Sequence, residues 1–502
     1  MTVEHRTEQS AGIYGLKLPA GVGTDRFLLT RDEFLESLRD GRRILASDGT
    51  YVDDVTTHPL TRQGVQTLAR YYEMQHDPAY ADIMTFESDE LGGRASVAWK
   101  VPRKKDDLLA RRVLLELSTK LTLGTFGRPP DYGPVQAAGL LQIIDRIESQ
   151  GSDWAEHVRA FATDGLRHNL MSTDLLADVQ SDRNIPVSDK PGRLRIVSED
   201  ESGIVIRGAK PCNSIAVQGH VGSILTLLSP GINLDSAILA VVGANTPGLT
   251  FIPRESTLRS GSGWDRPVSR HVGDEVDAMM VFEDVFLPKQ QVFSVRNEAI
   301  LSTYYERGAL PQWHILARLA YRARILVGVA DMVVSVLGTD RIPQVRDAVA
   351  DMVAYSKTVQ AFVIAAEDTG HVQNGVFVPN MEFLAPGRLY AIGNLGRIME
   401  TLREICGQGM ISRFTEKQFS DERFGRYLEE FLPGTGVGAA EKNQLFNFVW
   451  ELTCGEQAMR AGLFENLNAT PPGALRAFIY RSDRSTWADP VREILARDVS
   501  GS

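Results

Sequence analysis

Arg193-Leu194-Arg195-Ile196-Val197-Ser198-Glu199-Asp200-Glu201-Ser202-Gly203-Ile204-Val205-Ile206-Arg207-Gly208 decides how the chain must fold. Leu194 and Ile196 alternate with polar residues, an acidic turn ending at Gly203 follows, and Ile204 and Ile206 alternate again. A period of two on both sides of a turn predicts a β-hairpin. Further β-type runs lie at 223–228, 237–242, 249–252 and 278–282, each bounded by Gly, Pro, Asn or Asp. Short strands at this spacing predict a small antiparallel barrel or sandwich.

On both sides the apolar period changes to three and four, which argues for helices. Upstream, Leu108, Leu109, Val113, Leu114, Leu117 and Leu121 form one helical run, and Leu140, Leu141, Ile143, Ile144 and Ile147 another. Between them Gly127-Arg128-Pro129-Pro130-Asp131-Tyr132-Gly133-Pro134 reads as a loop. Downstream, Leu316, Leu319, Ala320, Ala323, Val327, Ala330 and Val334 make one stripe, and Leu445, Phe448, Val449, Leu452 and Ala458 another. Pro343, Pro379, Pro386 and Pro433 mark expected breaks. The expected plan is an N-terminal helical domain (1–152), a middle β-domain (153–298) and a C-terminal helical bundle (299–502). The tail from Pro471-Pro472 is expected to wrap the surface or a neighbouring subunit. Junctions between such domains are common cofactor sites.

The 502 residues carry 54 Lys+Arg against 64 Asp+Glu, a net charge of −10. Nucleic-acid binding needs a basic face, so this balance argues against it. Cys212, Cys406 and Cys454 cannot build a disulfide framework and lack zinc-ligand spacing, so no metal is expected. The opening Met1–Ser10 shows no leader pattern. Arg318, Arg322, Arg324 and Asp331 interrupt the longest apolar stretch, 313–337, which excludes a lipid span. A cytoplasmic globular protein is expected.

Several segments together resemble the 4-hydroxyphenylacetate 3-hydroxylase large-component family. They are 33–42, Asp54-Val55-Thr56-Thr57-His58-Pro59, Gly127-Arg128-Pro129-Pro130-Asp131-Tyr132, Asp265-Arg266-Pro267, 274–278 and 283–288, in order along nearly the whole chain. The resemblance implies an α+β fold like that of acyl-CoA dehydrogenases, with a C-terminal four-helix bundle, usually tetrameric. It also implies a reaction in which a separate reductase supplies FADH2. The enzyme captures the reduced flavin with O2 as a flavin C4a-hydroperoxide and hydroxylates an aromatic substrate.

Within that resemblance, Arg128 could stabilise a phenolate or the peroxide oxygen, with Tyr132 hydrogen-bonding beside it. The alternative is a surface Arg and a packing Tyr. The family places a histidine about nine residues before an Asp-Arg pair; here the pair is Asp182-Arg183, and Asp174 stands nine before Arg183. His168 lies six residues further upstream, a spacing that does not return to one helix face. Asp174 is therefore expected as a base, a polar anchor or the holder of a substrate amine, against a plain helix N-cap or solvated acid. A Thr-Asn-Ser segment contacts the flavin ring in the family, which makes Asn213 and Ser214 candidate contacts, against ordinary turn chemistry. His220 could face the cavity as a substrate contact or be structural. The loops holding Gly407, Gly409 and Gly434 offer amides to a pyrophosphate, or serve only as helix caps. Glu465, in Phe464-Glu465-Asn466, faintly echoes an acyl-CoA dehydrogenase base. The alternatives are another flavin reaction on this fold (N-hydroxylation or dehydrogenation) and a flavin-free paralogue. The substrate expected is phenol-like or amino-aromatic, from a biosynthetic pathway rather than plain 4-hydroxyphenylacetate.

Overall fold

The computed structural model describes residues 13–467 and 470–499; Met1–Ser10, read above for a leader, lie outside them. The helices that matter for the site begin with α1 (Arg31–Ser37), α2 (Arg62–Met74), α3 (Lys105–Leu121), α4 (Gly133–Gln142) and α5 (Ser152–His168). The second upstream run is not one helix: α4 ends at Gln142, and a separate helix, Ile144–Gln150, follows a kink at Ile143. C-terminal to the sheets come α6 (Tyr304–Arg307), α7 (Ala309–Leu337), α8 (Pro343–Asp368), α9 (Met381–Cys406), α10 (Ala439–Thr453), α11 (Glu456–Leu467), α12 (Pro472–Tyr480) and α13 (Asp489–Val499). Pro386 lies inside α9 rather than between helices. The stripe ending at Ala458 spans two helices, because the chain breaks at Cys454-Gly455.

The main strands are β1 (Arg43–Ile44), β2 (Thr85–Ser88), β3 (Gly93–Ser96), β4 (Ser172–Leu175), β5 (Arg195–Asp200), β6 (Gly203–Asn213), β7 (Val221–Leu225), β8 (Ile238–Gly243), β9 (Leu249–Pro253), β10 (Ala278–Pro288) and β11 (Val292–Val295). The predicted hairpin is β5–β6, with Ile196 opposite Ile206 and a two-residue turn at Glu201-Ser202. The middle region holds two open sheets, in the orders β1-β9-β10-β6-β5 and β11-β8-β7-β4, not a closed barrel. Nor is it wholly antiparallel, since β1 runs parallel to β9 and β4 parallel to β7.

Alternation along β8 shows how the layers stack. Ile238, Ala240 and Val242 share a core with Ile204 and Ile206 of the other sheet, whereas Leu239 and Val241 join Ala155, Val158 and Phe161 of α5. The four-stranded sheet is thus covered on both faces, which is why its strands are continuous apolar runs. In the C-terminal half, α7 packs against α8 and α9 in a second core. Among the described residues no helix is long and apolar enough to cross a membrane.

Two buried polar contacts lock the layers. His220 is fully enclosed: its Nδ1 accepts from the Met171 backbone N–H at 2.9 Å, and its Nε2 meets Ser37 Oγ at 2.8 Å. Its ring packs edge-on against Phe34. Both nitrogens are used in joining α1 to the sheet, which corrects the expectation that His220 faces the cavity. Elsewhere, Arg460 on α11 pairs with Glu275 and Asp277 just ahead of β10, tying the last helices to the sheet.

Two predictions follow from these contacts. Burial first, and then nearby Arg42, push the His220 pKa down to about 3. The folded protein therefore refuses a proton that the unfolded chain accepts below about 6.5. Stability from this group should be present above pH 6.5 and fall on acidification, by on the order of 2–3 kcal/mol at pH 4.5. Denaturant titrations of wild type and His220→Gln should show the variant losing that slope. Arg460→Met leaves Glu275 without its cation and Asp277 with Arg254 alone, and should cost about 3–5 kcal/mol. The exposed pair Arg397–Asp351, 2.6 Å apart, should lose no more than about 1 kcal/mol in Arg397→Met.

Candidate functional site

The loop 127–132 is clamped at both ends. At its start the N–H groups of Gly127 and Arg128 donate to the two oxygens of Glu275, at 2.6 and 2.9 Å. Gly127 is needed there, because a Cβ would stand 2.1 Å from the Phe464 ring. At its end Asp131 accepts from Ser118 Oγ (2.5 Å) and pairs with His314 Nε2 (2.8 Å). Gly133 then lets α4 approach β4, since a Cβ would lie 2.0 Å from the Ser172 carbonyl oxygen.

That approach brings Arg128, Tyr132 and Asp174 together. Asp174 lies in β4, so it is neither a helix cap nor a solvated acid. Its Oδ1 is 3.5 Å from Arg128 Nε, and its Oδ2 accepts from Gln136 Nε2 at 3.2 Å and faces the Tyr132 hydroxyl at 3.4 Å. The Arg128 guanidinium sits 4.2 Å from the Tyr132 ring centre and 5.0 Å from that of Phe464. Burial works against its charge, but Tyr132, Asp174, Glu465 and Glu275 more than offset this, so Arg128 holds its proton more tightly than a free guanidinium. Burial raises the Tyr132 pKa, keeping its phenol protonated.

Arg128 and Tyr132 line a chamber of ≈ 20 Å³, shared with Gln136, Leu176, Tyr304, Arg307, Gln312 and Thr470; Asp174 stands behind them and does not line it. Leu176, Tyr304 and Thr470 also belong to the wall of a cavity of ≈ 1190 Å³. That volume exceeds the usual small-ligand range of about 300–1,000 Å³. Its wall combines Leu227, Leu301, Leu467, Tyr304 and Tyr305, suited to a planar ring, with Gln180, the Ser229-Pro230-Gly231 turn and Arg481, suited to ribityl and phosphate groups. These residues fit an FAD.

Other expected site residues fall elsewhere. Asn213 Nδ2 donates to the carbonyls of Lys210 and Ala278, and Ser214 Oγ donates to Asp277 at 2.6 Å. Neither lines the cavity; their neighbours Pro211 and Cys212 do. Gly407, Gly409 and Gly434 do not line it either. Gly409 packs against Phe446 and Gly434 against Val336. Glu465 is buried, accepting from Arg318 Nη2 at 2.5 Å, and its pKa is lowered because Arg318 and Arg322 outweigh its burial. An ion-paired core carboxylate is not a free base.

Sequence reading passed over His314. Its Nε2 faces Asp131, its Nδ1 has no protein partner, and its ring stands edge-on to Tyr132 at 5.2 Å. Burial lowers its pKa despite Asp131, whereas Asp131 lies below the usual range because His314 and Ser118 outweigh its own burial. A carboxylate at Nε2 fixes the neutral tautomer with its lone pair on Nδ1. The available signal was the histidine at the start of a long apolar helix.

Comparison with known proteins identifies the family and the fold. Residues 30–294 match the model of the 4-hydroxyphenylacetate 3-hydroxylase N-terminal domain and residues 302–495 that of its C-terminal domain. The oxygenase component of a 4-nitrophenol 4-monooxygenase/4-nitrocatechol 2-monooxygenase from Rhodococcus opacus is 32% identical, covering 94% of this chain and 91% of that protein. The FADH2-dependent monooxygenase TftD of Burkholderia cepacia is 31% identical, over 91% and 90%. A crystal structure of the oxygenase component of 4-hydroxyphenylacetate 3-monooxygenase, complexed with FAD and 4-hydroxyphenylacetate, superposes with a TM-score of 0.88 at 28% identity, covering 94% of this chain and 99% of that one. A 4-hydroxybutyryl-CoA dehydratase (TM-score 0.83, 20% identity) shares the fold alone. With both domain models matched in order across nearly its whole length, the chain belongs to the 4-hydroxyphenylacetate 3-hydroxylase family.

Proposed function

We propose that this chain is the oxygenase component of a two-component monooxygenase that takes FADH2 from a separate reductase and hydroxylates a phenol-like ring. The observation that carries this reading is that Arg128 and Tyr132, both held by Asp174, line a chamber sharing its wall with a cavity large enough for a flavin. Reduced flavin and O2 would supply the activated oxygen atom. Leu176, Pro211, Leu227, Tyr304 and Tyr305 would hold the flavin ring, and Arg481 its phosphates.

The remaining tasks fall to this chain's own groups. Arg128, charged and enclosed, stabilises a phenolate oxygen. Asp174 already faces Arg128, Tyr132 and Gln136, so it orients them rather than binding an amine, and a phenol fits better than an amino-aromatic. The base in this reading is His314, which packs edge-on against Tyr132 and does not itself line the chamber: with Asp131 on Nε2, its Nδ1 lone pair is unclaimed and would take the phenol proton once the chamber widens. A benzene-sized ring needs a cavity of roughly 150 Å³, so the chamber must widen to admit one. Tyr304 and Thr470 form the partition, and displacement of Tyr304 would join ring to flavin while keeping water out. We further propose a cytoplasmic homotetramer; the support from the structure is for self-association alone, since Val491, Ile494 and Leu495 leave an apolar face of α13 57–62% exposed.

Anaerobic mixing with FADH2, then O2 and a panel of phenols, tests the function: hydroxylated product supports it, and peroxide alone from every phenol would overturn it. His314→Gln should lower the hydroxylation rate by about 10²–10⁴-fold. The wild-type rate should decline as pH falls through the lowered His314 pKa, where Nδ1 gains a proton, and the variant should lack that limb. Asp174→Asn should retain it. Tyr304→Ala should raise the fraction of FADH2 lost as hydrogen peroxide per product formed.

A further inference from the structure

Arg307 ends the short helix α6, and its side chain is a wall of the chamber that holds Arg128 and Tyr132. It is 3% exposed, yet among the described residues its Nε and Nη2 have no acceptor and no carboxylate pairs with it. The Tyr304 ring lies against it, its centre 5.6 Å from Cζ. Burial lowers its pKa to about 10, which leaves it charged at neutral pH. The residue is not free to swing out by a shift of its backbone. Its N–H donates to Thr303 at 2.9 Å, and its carbonyl oxygen stands where a Cβ on Gly139 would come within 2.2 Å.

The charge around it is lopsided. Arg128, Arg307, Arg318, Arg322 and Arg388 are all buried, and the carboxylates beside them are Asp174 and Glu465. Glu275, also near Arg128, is committed to Arg460. Arg388 donates to Gln312 Oε1, and Gln312 Nε2 donates onward to Thr470 at 2.9 Å, so this chamber wall is preset. A buried guanidinium without an acceptor is rare, because the lost hydration is returned by nothing in the chain. Nε and Nη2 share one edge of the guanidinium, and their two parallel N–H bonds match a planar group with two oxygens.

We propose that Arg307 is a specificity-determining residue that binds a second, planar two-oxygen group on the substrate, an anionic carboxylate or a strongly polar nitro group, while Arg128 and Tyr132 hold the phenol end. The substrate class is then a phenol bearing such a group, and the assignment rests on the chamber being the phenol site. A flavin phosphate carries the same oxygen chemistry, so the test must separate the two.

The probes are 4-hydroxybenzoate, 4-nitrophenol and 4-methylphenol, with wild type, Arg307→Met and Arg307→Lys. Wild type should favour the acid or the nitrophenol over 4-methylphenol in kcat/KM. Arg307→Met should cut that preference by about 10- to 100-fold, the loss of a charged hydrogen-bonded pair, mainly through KM. Arg307→Lys should restore part of it. Equilibrium dialysis of 4-hydroxybenzoate should show the same order of affinities without turnover. The thermal midpoint of Arg307→Met should hold or rise, since an unpaired buried charge is removed, whereas a purely structural Arg307 would lose stability. An unchanged preference in Arg307→Met would overturn the proposal. Equal losses for all three probes with weakened FADH2 binding would assign the contact to flavin phosphate and overturn it too. Arg307-dependent binding of the acid by a protein that hydroxylates none of the probes would instead sink the monooxygenase reading and leave the anion site standing.

Discussion

The contact between Arg460 and the carboxylates of Glu275 and Asp277 is the constraint on which the site rests. It lies where three segments meet: the loop 127–132, the approach to β10, and α11. Glu275 spends its oxygens on Arg460 and on two loop N–H groups; Asp277 takes Ser214, Arg254 and Arg460. Burial raises the Glu275 pKa and would raise that of Asp277, but Arg460 and Arg254 hold Asp277 below the ordinary range. Such clusters seldom add net stability over an apolar replacement. What this one supplies is position: it fixes the backbone from which Arg128 projects, in a region where apolar packing alone would allow sliding.

The parts of the fold visible in the sequence are those decided locally. The β5–β6 hairpin follows from alternation around a turn, and β8 from an apolar run bounded by Gly and Asn. The parallel pairs β1–β9 and β4–β7 could not be read, since each joins strands separated by long connections and nothing local specifies a partner. The kink at Ile143 was invisible because the apolar period continues through it. Pro386 misled because a proline was counted as a break, although a long, well-packed helix tolerates the missing hydrogen bond.

For the site, Arg128, Tyr132 and Asp174 were legible as residue types in a loop and near a motif, and the structure brings them within contact. The arginines of α7 were not. Along the sequence Arg318 and Arg322 look like solvated interruptions of an apolar stretch, yet both are buried and answer to Glu465, far along the chain. His220 and His314 show the same difficulty from opposite sides. Each is an isolated histidine among apolar residues, and only the contacts distinguish them: one has both nitrogens satisfied, the other has one.

That difference also bears on the carboxylate at 174, where the family pattern would place a histidine. A carboxylate facing a guanidinium, a phenol and an amide is well suited to fixing their positions, and its two oxygens are already engaged with those partners. The proton must then go to a group whose lone pair is unclaimed and whose charged form can be supported when it appears. His314 meets both conditions, since Asp131 stands against its other nitrogen and would stabilise the imidazolium. In the proposed mechanism two carboxylates thus take different parts because of what already binds them: Asp174 would hold the substrate's neighbours in place, and Asp131 would make the neighbouring histidine a base.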